Sequence, residues 1–328
     1  MILNTNNLVG MSLKNRPGHV ATVVCATAIG ALTLTACSSS NDPASSADSA
    51  DLSVAAAFYP LEYVAAHVAG DHGEILPLTS PGIEPHDLEL SPAVVREIQT
   101  QDVLLYLKDF QAAVDDAITA TDVYSFDAGT VPQLVSVEEH ENEADHSDGE
   151  ASDDHSHGTD DPHFWLDPTL LAQYATAVGS EFATLDPDNA SDYIENAAAL
   201  VTELNALDDS YTAGLAQCQR DEIFVTHEAF GYLSDRYGLH QEGLSGLDPE
   251  AEPSPARVRE IRDLMAADGA TTVFTESLVS TNVAEALASD AGVATEVLDP
   301  VEGVVGDDDY MTVMTRNLEN LRDALDCA

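Results

Sequence analysis

Four residues stand where their types and spacing could do chemistry together. His86 lies in the run GIEPHDLEL (Gly82 to Leu90), His163 in DPHFWLDP (Asp161 to Pro168), His227 directly after IFVT, and Asp299 in EVLDP. Neutral imidazole is the commonest protein metal ligand, and a carboxylate can complete its coordination shell. Three imidazoles and one carboxylate in fourfold coordination suit Zn²⁺, whose sites are commonly tetrahedral. Mn²⁺ is harder and prefers more oxygen ligands, whereas affinity order alone would also admit Cu²⁺ or Ni²⁺. The fourth position is open: Asp299 is the first choice, a water the second, and Glu276 or Glu84 come after. Glu276 follows a strand-like run and could instead orient a histidine or cap the next helix. Trp165 is the only tryptophan and lies two residues from His163, so it could wall the site against water. The alternative in another class is a zinc hydrolase with an open coordination position. The chain has no HExxH and no obvious general base beside its histidine motifs, and a coordinating Asp299 would leave no position open.

These residues need elements to hold them. Strand-like runs alternate with amphipathic helical stretches: Leu52 to Phe58, Glu74 to Leu78, Val103 to Leu107 and Val123 to Phe126, with helices over Leu61 to Ala69, from Ser91-Pro92, and near Ala112 to Ala120. The plan repeats after residue 220, with strands at Glu222 to Thr226, Thr272 to Thr275 and Thr295 to Leu298. Helices are expected over Ala229 to Tyr237, Ser254 to Ala267 and Asp307 to Leu325. Such alternation predicts an α/β protein of two lobes, each a parallel sheet flanked by helices. Between them, Asp188 to Ala216 has no proline and places Ile194, Ala197, Ala198, Val201, Leu204 and Leu207 at helical spacing. One long helix is expected there, a stiff spine rather than a hinge. The partition is then 52–186 for the first lobe, 187–217 for the linking helix and 218–328 for the second lobe. Ligands of parallel sheets bind beyond the carboxyl ends of strands. That rule places His86, His227 and Asp299 in the cleft and His163 on the first lobe's rim.

Charge and the N-terminal region bound the setting. The 328 residues carry 59 Asp+Glu against 11 Lys+Arg, a net charge of −48. Nucleic acid and anionic lipid surfaces are therefore excluded as partners through a basic face, whereas cations are attracted. Residues 1–36 hold Lys14 and Arg16 and no acid, then an apolar run from Val20 to Thr35. That run is too short to span a bilayer and reads as a secretory signal core. It ends in Leu34-Thr35-Ala36-Cys37 before three serines, the pattern of a lipoprotein signal in which Cys37 takes the lipid. Residues 37–51 then form a polar tether, and Met11 offers a tidier start to the signal. The expected location is the outer face of a bacterial cell membrane. Cys25 leaves with the signal, so Cys218 and Cys327 remain as one expected disulfide in an oxidising exterior. Glu138 to Asp161 holds eleven acids and four histidines, His140, His146, His155 and His157, with almost no apolar content. It reads as a disordered loop that gathers metal weakly.

The motifs together resemble the zinc-type substrate-binding lipoproteins of metal-ion ABC importers, the cluster with a rigid linking helix. The resemblance spans nearly all of residues 52 to 328. It rests on GIEPHDLE, DPHFWLDP, THEAFGYLSDRYGL (Thr226 to Leu239), GLDPEAEPSP (Gly246 to Pro255), TVFTESLVS (Thr272 to Ser280) and VLDPVEG (Val297 to Gly303), in order. It implies two α/β lobes, a spine helix and one divalent cation in the cleft, held by His86, His163, His227 and an acidic residue matched by Asp299. The His- and acid-rich loop resembles that of many zinc members. Manganese and iron members typically carry an acid where this chain has His227. Some members have an acid immediately before the first histidine; here Pro85 stands there, with Glu84 one further back. The implied function is capture of Zn²⁺ by a monomer and its delivery to a membrane permease driven by a separate ATPase, the chain itself being no enzyme. A manganese or iron receptor and a surface adhesin are the other readings within this fold.

Overall fold

In the computed structural model the described residues are 51–131, 161–304 and 306–328. The first sheet is wholly parallel, with strand order β2-β1-β3-β4. Its strands are β1 (Leu52–Ala56), β2 (Gly73–Pro77), β3 (Val103–Tyr106) and β4 (Ser125–Asp127). The register sets Ala56 opposite both Pro77 and Leu105, and Tyr106 opposite Asp127. Crossovers run through α1 (Tyr59–Ala69), α2 (Pro92–Ile98) and α3 (Ala112–Thr121). Val54, Ala55 and Ala56, on consecutive positions of β1, are all buried, as expected of a parallel strand covered on both faces.

Two long helices follow, α4 (Pro168–Leu185) and α5 (Ala190–Gly214). The 25 residues of α5 make a rod ~37 Å long at ~1.5 Å per residue. A single long helix spans this stretch, but its buried stripe differs from the expected one. Tyr193, Ala197, Leu200, Leu204, Leu207 and Tyr211 face inward, while Ile194 is 48% exposed. The two tyrosines bury their rings and find partners for their hydroxyls, Tyr193 on Asp186 Oδ2 (2.8 Å) and Tyr211 on the Met314 carbonyl (2.7 Å).

The chain then forms β5 (Glu222–His227), α6 (Gly231–Tyr237), β6 (His240–Ser245), α7 (Pro255–Asp268), β7 (Thr272–Thr275), α8 (Asn282–Ala291), β8 (Ala294–Val297) and α9 (Tyr310–Leu325). β5 pairs with β6, and β7 with β8, each pair parallel. Local chemistry marks the boundaries. Ser91, Asp167 and Ser254 each accept a hydrogen bond from a first-turn amide, with proline next in sequence, and Asp309 caps α9 the same way. α6, α7 and α8 end at Gly238, Gly269 and Gly292, all left-handed.

One apolar cluster runs from β1 through α4 and α5 to β5, Phe274 and α9. A smaller one joins Phe224, Leu244, Ile261, Met265, Val273 and Leu287 beneath α7 and α8. The Cys218–Cys327 disulfide is formed. It ties the end of the chain beside the start of β5, where Arg220 Nε and Nη2 also grip the Ala324 carbonyl at 3.1 and 2.9 Å.

Candidate metal centre

Four polar side chains from four separate stretches converge: His86, His163, His227 and Glu302, with ligand atoms all within 4.8 Å of one another. His86 sits on the loop between β2 and α2. Its backbone N–H donates to Glu84 Oε1 (2.9 Å), and Gln111 Nε2 holds the preceding Pro85 carbonyl (3.0 Å). The Phe110 ring meets the His86 ring edge-on at 4.7 Å. His163 is placed by Asp161, whose Oδ1 accepts from its backbone N–H (2.9 Å) and contacts Nδ1 (2.7 Å). His227 ends β5, and its Nδ1 lies 2.8 Å from Glu276 Oε1, which also accepts from the Thr226 hydroxyl.

The carboxylates at Nδ1 of His163 and His227 fix a proton on that nitrogen and turn Nε2 inward. Glu302 Oε1 stands 3.0 Å from Nε2 of both His86 and His163 and 3.7 Å from Nε2 of His227. A tetrahedral zinc with bonds of ~2.0–2.1 Å keeps its ligand atoms roughly 3.3 Å apart, so these spacings fit an ion at their centre with little movement. His227 Nε2 is buried and has no hydrogen-bond partner. An orphaned polar atom in a buried cluster is what a missing ligand leaves behind.

The electrostatics are those of a site where protons and a cation compete. Burial pushes the Glu302 carboxyl up, but its contacts with His163 and His86 at 3.0 Å and the His227 imidazole at 3.7 Å outweigh it and hold the group well below the usual carboxylate range. Burial lowers His227, yet its bond to Glu276 and the Glu302 carboxylate 3.7 Å from its Nε2 push it up to about 10. His163 is raised in the same way by Asp161 and Glu302, against its burial.

The three expected histidines are brought together; Asp299 lies outside the group. Its Oδ1 accepts from the Val301 N–H (2.8 Å), and its peptide is clamped by Asn317, which accepts from the Asp299 N–H (3.0 Å) and donates to the carbonyl (2.7 Å). Val301 is a β-branched residue held at φ 57°, a strained conformation that persists only when its surroundings enforce it. Asp299 thus braces the turn that presents Glu302. Glu276 stands behind His227, and Glu84 Oε1, which accepts from the His86 N–H, lies 4.0 Å from its Nε2; neither belongs to the converging group. Glu302 and Asp161 escaped the sequence reading. Asp161 has a local signal, since it precedes His163 by the two residues of an Asx turn; Glu302 lies in VLDPVEG, where only the fold distinguishes it from other acids. His140, His146, His155, His157 and Cys37 lie outside the described residues.

Trp165 is buried, 5.2 Å from the His163 ring. Its Nε1 donates to the Pro300 carbonyl (2.7 Å), and its own carbonyl accepts from the Tyr310 hydroxyl (2.7 Å). It therefore fastens the His163 segment to the Glu302 turn as well as walling the centre.

Fold and centre together define an α/β protein with parallel sheets, a long helix and a cluster of side chains that could hold a metal ion. Residues 54–324 match the family described as zinc-uptake complex component A, periplasmic, and the chain belongs to that family. It is 33% identical over 284 residues to the zinc-binding lipoprotein AdcA of Streptococcus pneumoniae, covering 84% of this chain and 56% of that one. The chain thus spans little more than half the length of that relative. It is 30% identical to the high-affinity zinc uptake system protein ZnuA of Bacillus subtilis, over 90% of this chain and 94% of the relative. Among solved structures it resembles the laminin-binding protein of Streptococcus agalactiae, described as bifunctional with adhesin and metal transporting activity. That match has 29% identity and a TM-score of 0.73, covering 84% of this chain and 99% of the other.

Proposed function

We propose that this protein captures Zn²⁺ outside the membrane and delivers it to an ABC-type permease powered by a separate ATPase. The observation that carries the reading is the convergence of three imidazole Nε2 atoms on Glu302 Oε1, with His227 Nε2 buried and orphaned. His86, His163, His227 and Glu302 would hold the ion, and Asp161, Glu276 and Glu84 would orient the histidines. Zinc is favoured over manganese because nitrogen supplies three of four ligands. The chain acts as a monomeric receptor, not an enzyme, anchored through a lipid on Cys37. The relatives' names as zinc-binding lipoproteins support that setting, and among the described residues no helix is long and apolar enough to cross a membrane. The partition 52–186, 187–217 and 218–328 remains our description of lobe, spine and lobe, and the loop 138–161 our candidate for auxiliary metal capture.

Metal content tests this directly. The body from Ser38 onward, purified without a tag and loaded with zinc, is expected to hold about one ion per chain, in keeping with one fourfold site. That ion should survive deletion of 138–160, which keeps Asp161 beside His163, and be lost in His227→Ala. Zinc that leaves with the loop would instead make the protein a loop-based buffer. An adhesin role is a second reading, favoured by the resemblance to the laminin-binding protein. Saturable laminin binding that persists in His227→Ala would support it independently of metal.

A further inference from the structure

The three imidazoles of the centre are not held alike. His163 and His227 are fully buried, each with a carboxylate oxygen within 2.8 Å of Nδ1. His86 has no carboxylate at Nδ1 among the described residues: Glu84 comes no closer to its ring than 4.0 Å, at Nε2, and 15% of the side chain is exposed. The aim of this ring therefore depends on its backbone and on the edge-on Phe110 ring. That backbone lies in the irregular stretch 78–91 between β2 and α2. Hydrogen bonds inside the stretch are short in range: Ile83 N–H donates to the Ser80 carbonyl (3.1 Å) and Leu88 N–H to the Pro85 carbonyl (3.3 Å).

Gln111 reaches in from another element. It stands directly before α3, next to Phe110, and is buried. Its Nε2 donates to the Pro85 carbonyl (3.0 Å) and to the Thr79 hydroxyl (3.3 Å), which itself donates to the Ala57 carbonyl just past β1 (2.8 Å). Among the described residues, Gln111 Oε1 is buried without a hydrogen-bond partner. An apolar side chain of similar size would avoid that cost, so what the amide adds is the grip of Nε2 on the loop.

We propose that Gln111 is the positioning residue for His86: through the Pro85 carbonyl it holds the adjoining peptide and so aims His86 Nε2 at Glu302 and the metal position. It does through the backbone what Asp161 and Glu276 do through Nδ1. Its effect on zinc rests on the capture reading above, whereas its effect on the loop does not.

The test uses Gln111→Met in the full folded chain, with Gln111→Leu in parallel. Hydrogen exchange of the metal-free protein reads the loop. Residues 79–90 are expected to exchange faster than in wild type, with 222–227 unchanged. The unfolding midpoint should stay near wild type, because losing the donation is offset by removing the unpaired Oε1. Exchange in 79–90 as slow as in wild type would overturn the proposal, and so would failure of both variants to fold, which would assign Gln111 to the fold at large. Competition with a calibrated chelator then reads zinc. Wild type must first bind one zinc in a His227-dependent way; failure there defeats the capture reading, and the exchange result still decides whether Gln111 holds the loop. Given binding, Gln111→Met is expected to raise Kd about tenfold or more. In a His86→Ala background the same substitution should change Kd by no more than about twofold, since the ring it positions is gone. An equal loss in both backgrounds, or an unchanged Kd in Gln111→Met alone, would overturn the proposal.

Discussion

Asp161 and Glu276 perform the same service for two different histidines. Each places a carboxylate oxygen within 2.8 Å of an Nδ1, which fixes the tautomer and strengthens Nε2 as a donor to metal. Asp161→Asn and Glu276→Gln are each expected to weaken zinc about 10–100-fold while keeping one ion per chain; a competition titration against a calibrated chelator reads this. Asp299 and Glu302 divide their work differently. Glu302→Gln should lose zinc affinity together with the stability that its carboxylate lends the metal-free cluster. Asp299→Asn should lower stability by about 1–3 kcal/mol, the range for disturbing a buried hydrogen-bonded group, and affect zinc only secondarily. Loss of all zinc binding in a folded Asp299→Asn protein would make Asp299 a ligand after all. At this scale the histidines were legible because imidazole is rare in the chain's strand-end motifs and each motif ends an expected strand or precedes a helix. Glu302 was hidden among 59 acidic residues. What selects it is a positive-φ backbone at Val301 and a clamp from Asn317 on a distant helix, neither of which has a local sequence signal.

The elements holding these residues derive their rigidity from close backbone approach. α4 and α5 form an antiparallel pair in which Gly179 faces Ala197. A Cβ on Gly179 would fall 2.7 Å from the Ala197 Cβ and 3.2 Å from the Tyr193 carbonyl oxygen, distances that require the helices to part. Gly179→Val is therefore expected to cost about 1–3 kcal/mol through overpacking, measured by urea unfolding. Because α4 begins at the Asp167 cap, four residues after His163, a forced shift of the helix should also weaken zinc. A variant as stable as wild type would show that the pair has slack. Ser-Pro starts made α2 and α7 readable, and β7 coincides with its expected residues because four buried apolar and threonine positions stand between polar ends. β6 was missed since HQEGLS carries little apolar content; its place is set by pairing with β5. α8 was missed because its apolar residues are mostly alanine and its first turn lacks a side-chain cap. The displaced stripe on α5 has a similar origin: tyrosine counts as polar in a periodicity, yet Tyr193 and Tyr211 are buried once their hydroxyls find partners.

At the scale of the whole molecule, the continuous core couples the centre to global stability, so protons and zinc should both be visible in an unfolding experiment. His227 has its pKa raised to about 10 in the folded protein, against about 6.5 when unfolded. Its contribution in the metal-free protein is fully present below about pH 6.5 and is lost as the pH rises toward 10. Glu302 is depressed below its ordinary 4.5, so its contribution is present above about 4.5 and is lost as acid carries it through the lowered value. The metal-free cluster thus stabilises most between about pH 4.5 and 6.5. Zinc must displace the protons shared between Nε2 and Glu302, so its affinity should climb with pH over the range in which the metal-free cluster weakens. Bound zinc stabilises by RT ln(1 + [Zn]/Kd), about 4 kcal/mol at a thousandfold excess over Kd. At fixed free zinc, the rise in Tm on adding metal is therefore expected to be larger at pH 8 than at pH 6, with protons released to an unbuffered solution on binding. Differential scanning calorimetry at the two pH values, with zinc held by a metal buffer, measures the first, and a pH-stat titration the second. An equal shift at both pH values with no proton release would mean that the imidazoles are already neutral before the ion arrives, and that the contacts with Glu302 do not hold protons on them.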